Sequence, residues 1–427
     1  MQDSGDIRLQ RAMAAVRDEQ TLRGRLEEIV RRKGLQEVCV GVAVDGRELT
    51  LSAGAAEGGG VDATAASDVP VAAGCLAKSL TATLVDEAVT AGRVGWTDAV
   101  ADMLARDTHS RRHLAGITVR HLLDHAHGLD ASTVHGVPRT DDGFIDVERL
   151  CGALGPQALF TPGRMYSYSH VGAWLAGAVL ESVGGVRYVT QLRERQLICD
   201  ASYDESGAIC PATGAALTLT LAQWLGFAQR CLSQLQPRQD GSRDVMALPG
   251  WHPTERSIWR GWKCYGDGWL GHNANLSDRS AMLRINPGEQ LAIVVSASEA
   301  NGAVFAASGV FGDLLPEFRN LRPPRLLKAD EVAGLSVHDH VGRYVQARTA
   351  VDVTLDAQGV LQLQVGERDQ ETGPASRLRA ADRGVFVAES RGNPEFQFVQ
   401  FIAHDASSGS AYLWNGRQIW RRESAVR

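Results

Sequence analysis

The stretch "VAAGCLAKSLTATLVDEAVTAGRV" (71–94) carries the reading of this chain. Leu76, Leu80, Leu84, Val85 and Val89 recur at helical spacing, and Ala91 and Gly92 supply a stop, so a helix is expected to begin near Cys75. Cys75 and Lys78 are then three residues apart, and such positions share one side of a helix. A thiol beside an amine has two readings. It is core packing, because buried cysteine behaves as a small hydrophobe and lysine stems snorkel, or it is a nucleophile beside its base. The pair alone leaves both open.

The lysine is unusual for this chain. Of 44 Lys and Arg residues only Lys33, Lys78, Lys263 and Lys328 are lysine. High-GC coding explains a general excess of arginine. A lysine that persists then marks a place where arginine will not serve, since arginine stays protonated while lysine can lose its proton and act as a base.

Composition bounds the rest. A chain of 427 residues, 44% hydrophobic and 22% charged, is an ordinary soluble globular protein of two or three domains. A net charge of −6 argues against nucleic acid or an anionic membrane as partner. The opening "MQDSGDIRLQRAMAAVRDEQ" has no apolar core of the kind a secretory signal needs, and no run of eighteen apolar residues occurs. The seven cysteines (39, 75, 151, 199, 210, 231, 264) are scattered without CxxC spacing, which suits reduced thiols in a cytoplasm. The histidines lack ligand spacing such as HExxH, so no metal and no dissociable cofactor are expected.

Along the chain, residues 7–34 read as one amphipathic helix, and "EVCVGVAVDGRELTLSAGAA" reads as a hairpin around an Asp-Gly turn. "ITVRHLLDHAHGLD" (117–130) reads as a short helix capped by glycine, and 166–185 as a loop entering an apolar helix with a Gly-Gly stop. Residues 280–298 form a second hairpin, and 319–332 has the prolines and charge of a linker. Residues 1–330 therefore mix helices and hairpins as an α+β domain, and 335–427 are short alternating strands of a small all-β domain.

Four segments, in order, carry a resemblance to the serine β-lactamase and penicillin-binding-protein-like hydrolases, especially the class C β-lactamase and esterase branch. The stretch 71–94 resembles the family's Ser-x-x-Lys helix start, with Cys75 at the serine. "ITVRHLLDHAHGLD" resembles "ITVRHLLTHTSGL", and "PGRMYSYSHVGAWLAGAVLE" (162–181) resembles "PGxxFxYSNxGYxLLGxIIE", with Tyr168 at the Tyr-x-Asn tyrosine. "GHNANLSDRSAMLRINPGEQLAIVVSAS" (271–298) resembles the strand pair of the third motif, with His272 at its Lys/His position. The resemblance spans residues 25–320. It implies a β-lactamase/transpeptidase-like domain, an antiparallel sheet flanked by helices with an all-helical region, followed by a lipocalin-like barrel. It also implies that Lys78 and Tyr168 share the proton-shuttle role and that the backbone N–H groups of Cys75 and Asn275 form an oxyanion hole. Such donors each lower the barrier by about 2.7–4 kcal/mol.

Three positions depart from the family pattern: Cys75 for serine, His170 for asparagine, and Ala274 for glycine. For Cys75 the competing readings are a drifted serine in a silent pocket, a serine deliberately replaced, and a working nucleophile. Cysteine preserves nucleophilicity with a pKa of about 8.5, lower than any alcohol. His170, two residues from Tyr168, could pair with the thiol, whereas His121, His125 and His127 read as structural or solvent-facing. His272, Asn273 and Trp269 are expected to shape the pocket.

Sulfur points to the reaction. A cysteine acyl-enzyme is a thioester, so exchange from a thioester donor, such as an acyl-carrier protein or coenzyme A conjugate, is nearly thermoneutral. Thioesters also favour amine over water as acceptor. The sequence reading is thus a Cys-nucleophile acyltransferase in natural-product biosynthesis. The alternatives are an esterase, thioesterase or amidase with the same residues, and a catalytically silent binding protein.

Overall fold

The computed structural model describes residues 13–54, 66–198, 217–235, 244–315, 318, 325–370, 373–381, 384–389, 397–403 and 410–423. The chain divides into two compact units. The first comprises Met1–Val94, Leu180–Val245 and Glu255–Leu321; the second comprises Gly95–Val179, Met246–Thr254 and Arg322–Arg427.

In the first unit, helix α1 (Glu19–Lys33) begins at Asp18, whose side chain accepts from Gln20 N at 3.2 Å, and ends at left-handed Gly34. The helix expected over 7–34 is therefore interrupted: residues 13–17 are helical, Asp18 caps a new start, and 7–12 lie outside the described residues. Strands β1 (Glu37–Val44) and β2 (Arg47–Gly54) form the expected hairpin, with Asp45 and Gly46 both at positive φ as a two-residue primed turn requires. After β3 (Pro70–Ala72) come α2 (Ala77–Thr90), β4 (Thr218–Thr220) and α3 (Leu221–Gln234). The sheet is then completed by β5 (Ser257–Trp259), β6 (Trp262–Gly266), β7 (Trp269–Asn275), β8 (Ser280–Asn286) and β9 (Leu291–Ala297), with α4 (Gly302–Phe311) behind it. Within this unit the strand order is β2–β1–β9–β8–β7–β6–β5, and each neighbouring pair is antiparallel.

Helices cover both faces of this sheet, which is why β1 and β9 are buried almost throughout rather than on alternate residues. Helices α1 and α4 seal one face with Leu22, Leu26, Ile29, Val310 and Phe311. Helix α3 packs on the other, so close to β1 that a Cβ on Gly41 would stand 2.8 Å from a Leu225 methyl.

The second unit holds four short helices within Gly95–Val179 and a closed eight-stranded antiparallel barrel. Its strands are β10 (Gly342–Val345), β11 (Thr349–Leu355), β12 (Leu361–Glu367), β13 (Ser376–Ala380), β14 (Val385–Ala388), β15 (Phe398–Ala403), β16 (Ser410–Trp414) and β17 (Ile419–Arg422). Strand β10 closes on β17 through Tyr344 opposite Arg422. Inward-facing Tyr344, Val351, Leu363, Phe386, Leu413 and Trp420 fill the interior. A second cluster joins the barrel to the helical segment: Leu159, Phe160 and Met165 pack with Tyr412, Trp414 and Ile419.

Candidate active site

The first unit presents Cys75 on a short rigid path. Val71 pairs with Leu219 across β3 and β4, Ala73 N donates to Leu217 O at 2.9 Å, and a single 3₁₀ turn (Gly74–Leu76) leads into α2. Gly74 sits at φ +44°, and a Cβ there would stand 2.9 Å from Ala274 Cβ. The glycine therefore lets the turn lie against β7, and the Ala274 methyl fills the space that a side chain at 74 would need. Cys75 is partly exposed, and Lys78, in the first turn of α2, is only 2% exposed. The 3₁₀ turn runs straight into α2, with Leu76 and Ala77 in the right-handed helical region and Ala77 N bonded back to Gly74 O, so Cys75 lies at the positive end of the helix dipole.

Strand β7 supplies the opposing wall. Leu276 N donates to Arg279 O at 2.9 Å, and with the register Ala274↔Ala281 and Asn275↔Ser280 this fixes which groups point outward. In an antiparallel ladder bonded and non-bonded pairs alternate. Asn275 is a non-bonded position, so its N–H faces away from β8, toward the edge that β6 leaves unpaired beyond Gly271. The 3₁₀ turn of Cys75 packs against this strand.

Side chains alternate too. His272 and Ala274 lie on one face, Asn273 and Asn275 on the other. The Asn273 amide oxygen accepts from Arg284 Nη1 at 2.8 Å, and Arg284 stacks over the Tyr265 ring at 3.6 Å. The Asn275 side chain is paired with Asn301, which donates its backbone N–H to Asn275 Oδ1 at 2.8 Å. Trp269, expected at the pocket, belongs instead to the core beneath α1 and α4, against Phe318.

The second unit presents Tyr168, 4% exposed, on an extended segment. Its N–H donates to Arg417 O at 2.8 Å, and the Arg417 guanidinium lies 4.6 Å from its ring centre. Arg417 belongs to the tight turn between β16 and β17. His170 opens the helix His170–Gly184, which Ser169 caps by accepting from Val171 N at 3.1 Å; its ring stands 5.6 Å from Tyr168 and 6.1 Å from Trp174. Of the predicted residues, then, Cys75, Lys78, His272, Asn273 and Asn275 sit in the first unit, and Tyr168 and His170 in the second.

Residues 21–198 match the family model described as Beta-lactamase. The crystal structure of SurE with D-Leu is similar at 25% identity, over 94% of this chain and 98% of that one, with a TM-score of 0.70. A class C β-lactamase is similar at 14% identity, over 71% and 97%, with a TM-score of 0.52. The octameric penicillin-binding protein homologue from Pyrococcus abyssi is similar at 16% identity, over 91% and 97%, also at 0.52. The fold is that of the β-lactamases. No curated protein matches the chain.

Within this β-lactamase fold the electrostatics of His272 stand out. It is 1% exposed, and burial first, then the cations of Lys263 and Lys78, hold its pKa well below the ordinary histidine range. Its Nδ1 contacts Asn273 O at 2.8 Å, and a carbonyl can only accept, so Nδ1 carries the proton and Nε2 the lone pair. Lys263 itself pairs with buried Glu255. His272 is thus a neutral imidazole that resists protonation and can accept a hydrogen bond at Nε2, where a lysine would present a cation.

Residue-level reading missed four participants. Lys263 and Glu255 lie on and before β6 with no local motif. Arg417 reaches Tyr168 from a barrel turn about 250 residues downstream of it, a contact that only the tertiary fold creates. His125, read as structural, packs on Tyr168 with ring centres 4.7 Å apart. His121 and His127 do have structural roles: His121 completes a capping box with Thr118, and His127 is fully buried with Nδ1 accepting from Leu129 N at 3.0 Å. None of the five described cysteines is in a disulfide; Cys199 and Cys210 lie outside the described residues. Among the described residues no helix is long and apolar enough to cross a membrane, and no cluster of His, Cys, Asp and Glu could hold a metal.

Proposed function

We propose that this protein is an acyltransferase that carries its acyl group as a thioester on Cys75. The observation that carries the reading is the nucleophile turn. A partly exposed thiol stands at the N-terminus of α2, with buried Lys78 one turn on and the Asn275 N–H directed to the facing edge of β7. A helix N-terminus favours the thiolate, and two backbone donors suit a tetrahedral oxyanion.

The steps balance. The Cys75 thiolate attacks a donor thioester, the donor thiolate leaves and takes up a proton, and acyl-Cys75 remains. An amine then attacks, its proton passes to a base, and the amide leaves as the Cys75 sulfur is released. Lys78 and Tyr168 are the residues we assign to proton movement, with His170 assisting, and neutral His272 lines the same face as Ala274 as an acceptor. The N–H groups of Cys75 and Asn275 are the proposed oxyanion donors. An acyl-carrier-protein or coenzyme A thioester in the cytoplasm is the donor class, and natural-product assembly the setting. The similar SurE structure is one with D-Leu, a molecule that bears an amine, which favours an amine acceptor here.

The test uses N-acetylcysteamine thioesters of fatty acyl and short peptidyl groups, with intact-mass readout. An adduct on the wild type that Cys75→Ala abolishes supports acylation. Amide formed on adding amino acids supports transfer, whereas free acid alone would assign a hydrolase. No adduct with any donor would leave a silent binding protein.

A further inference from the structure

The Tyr168 segment is held by a residue that lies outside both its own stretch (162–181) and the barrel, in the segment 117–130. The short helix Val119–Leu123 ends at Asp124, and Ala126 N donates to His121 O at 2.8 Å, the long bond of a Schellman stop. The left-handed position of that stop is filled by His125, at φ +53°. Glycine is the default residue there because it has no Cβ to strain. Histidine is tolerated in the left-handed region more often than most residues, but still at a cost.

What occupies that costly position is fully engaged with Tyr168. His125 O accepts from Ser167 N at 2.9 Å, and His125 Nδ1 accepts from Ser169 N at 3.3 Å. The backbone N–H groups of the residues on both sides of Tyr168 are thus tied to one residue, while Tyr168 N is tied on the opposite edge to Arg417 O. The imidazole also lies 4.7 Å from the Tyr168 ring and 5.8 Å from the Tyr166 ring. An accepting Nδ1 places the ring proton on Nε2, so one neutral tautomer serves the arrangement.

We propose that His125 is a positioning residue for Tyr168, a two-point clamp that fixes where the phenol sits. The inference rests on the proton-moving role proposed above for Tyr168. A helix stop alone would be met by glycine, and ring packing alone by phenylalanine; neither has an acceptor at Nδ1. Asparagine has both a tolerance for the left-handed backbone and an oxygen close to the Nδ1 position.

The experiment compares His125→Gly, His125→Phe and His125→Asn by two readouts in the full-length protein. The first is the rate of Cys75 acylation by octanoyl-N-acetylcysteamine at saturation. Glycine and phenylalanine variants are expected to acylate about 10–100-fold more slowly, with half-saturation little changed, and asparagine to recover most of the loss. In a Tyr168→Phe background the same changes should have no further effect. The second readout is hydrogen exchange of the peptide covering 166–170, expected to rise about tenfold in the glycine and phenylalanine variants and to fall back in asparagine. A glycine variant that acylates like the wild type, an asparagine variant no better than phenylalanine, or losses that persist undiminished beside Tyr168→Phe would overturn the clamp. If the wild type forms no adduct at all, the acyl-transfer reading fails. The exchange data then decide the clamp alone, and unchanged exchange in all three variants would refute it.

Discussion

Sulfur at position 75 sets the expected chemistry of replacement. Under the proposed acyl transfer, Cys75→Ser keeps a nucleophile at the same turn but converts the intermediate to an ester, which discriminates less between amine and water. We expect the serine variant to acylate more slowly and to shift product from amide toward free acid, measured by chromatography at fixed amine; equal partition in both proteins would remove the argument for sulfur. A second residue-scale expectation concerns pH. Burial lowers the His127 pKa to about 4, against an unfolded value of about 6.5. The unfolded chain therefore takes up a proton below pH 6.5 that the folded protein refuses, so stability is present above that pH and declines as pH falls toward 4. At pH 5 the loss from this residue is about 2 kcal/mol. His127→Asn, which can still accept from Leu129 N, should flatten that part of the denaturation profile. The placement of Cys75 and Lys78 within one turn of each other was legible because the apolar spacing after Cys75 announces a helix start. His125 was not, because the rule that glycine ends a helix puts the stop at Gly128 and hides the left-handed histidine before it.

At the level of elements, the Cys75 turn and β7 are fitted by size. Gly74→Ala introduces strain at φ +44° and a contact of 2.9 Å with Ala274 Cβ, so a loss of about 1–3 kcal/mol is expected in urea denaturation. Adding Ala274→Gly removes the contact but not the backbone strain, and should restore part of the loss; full restoration would mean that φ is not limiting. The Thr220–Gln223 capping box at the start of α3 makes a smaller test, with Thr220→Ala expected to cost about 1 kcal/mol. Hairpins were the most legible elements, since Asp45-Gly46 and Pro287-Gly288 announce their own turns. The break at Asp18 was harder to read because the apolar spacing continues across it and only the side-chain cap shows where the chain restarts.

At the scale of the molecule, the barrel is bonded to the tyrosine segment that lies in the same unit. Arg417 O receives the Tyr168 N–H, and Ile419 N donates to Ser167 Oγ at 3.2 Å. Arg417→Ala should leave the barrel folded by circular dichroism but slow Cys75 acylation about tenfold, through loss of the cation over the phenol ring. A chain cut at residue 330 should expose Leu159, Phe160 and Met165 and aggregate rather than retain activity; a monomeric, active truncation would refute the shared core. The barrel was legible as short alternating strands with turn residues between them. Its grouping with Gly95–Val179 has no local signature, because those contacts join segments far apart in sequence. The same long reach governs how the chain comes to be made. Val42 is paired with Leu49 almost at once, but its other neighbour is Ile293. A nascent chain must therefore carry one bare edge of an apolar strand through most of its synthesis, and the sheet can close only after β9 has left the ribosome. Overexpression should strain this step first, making chaperone supply or slower growth the lever on soluble yield.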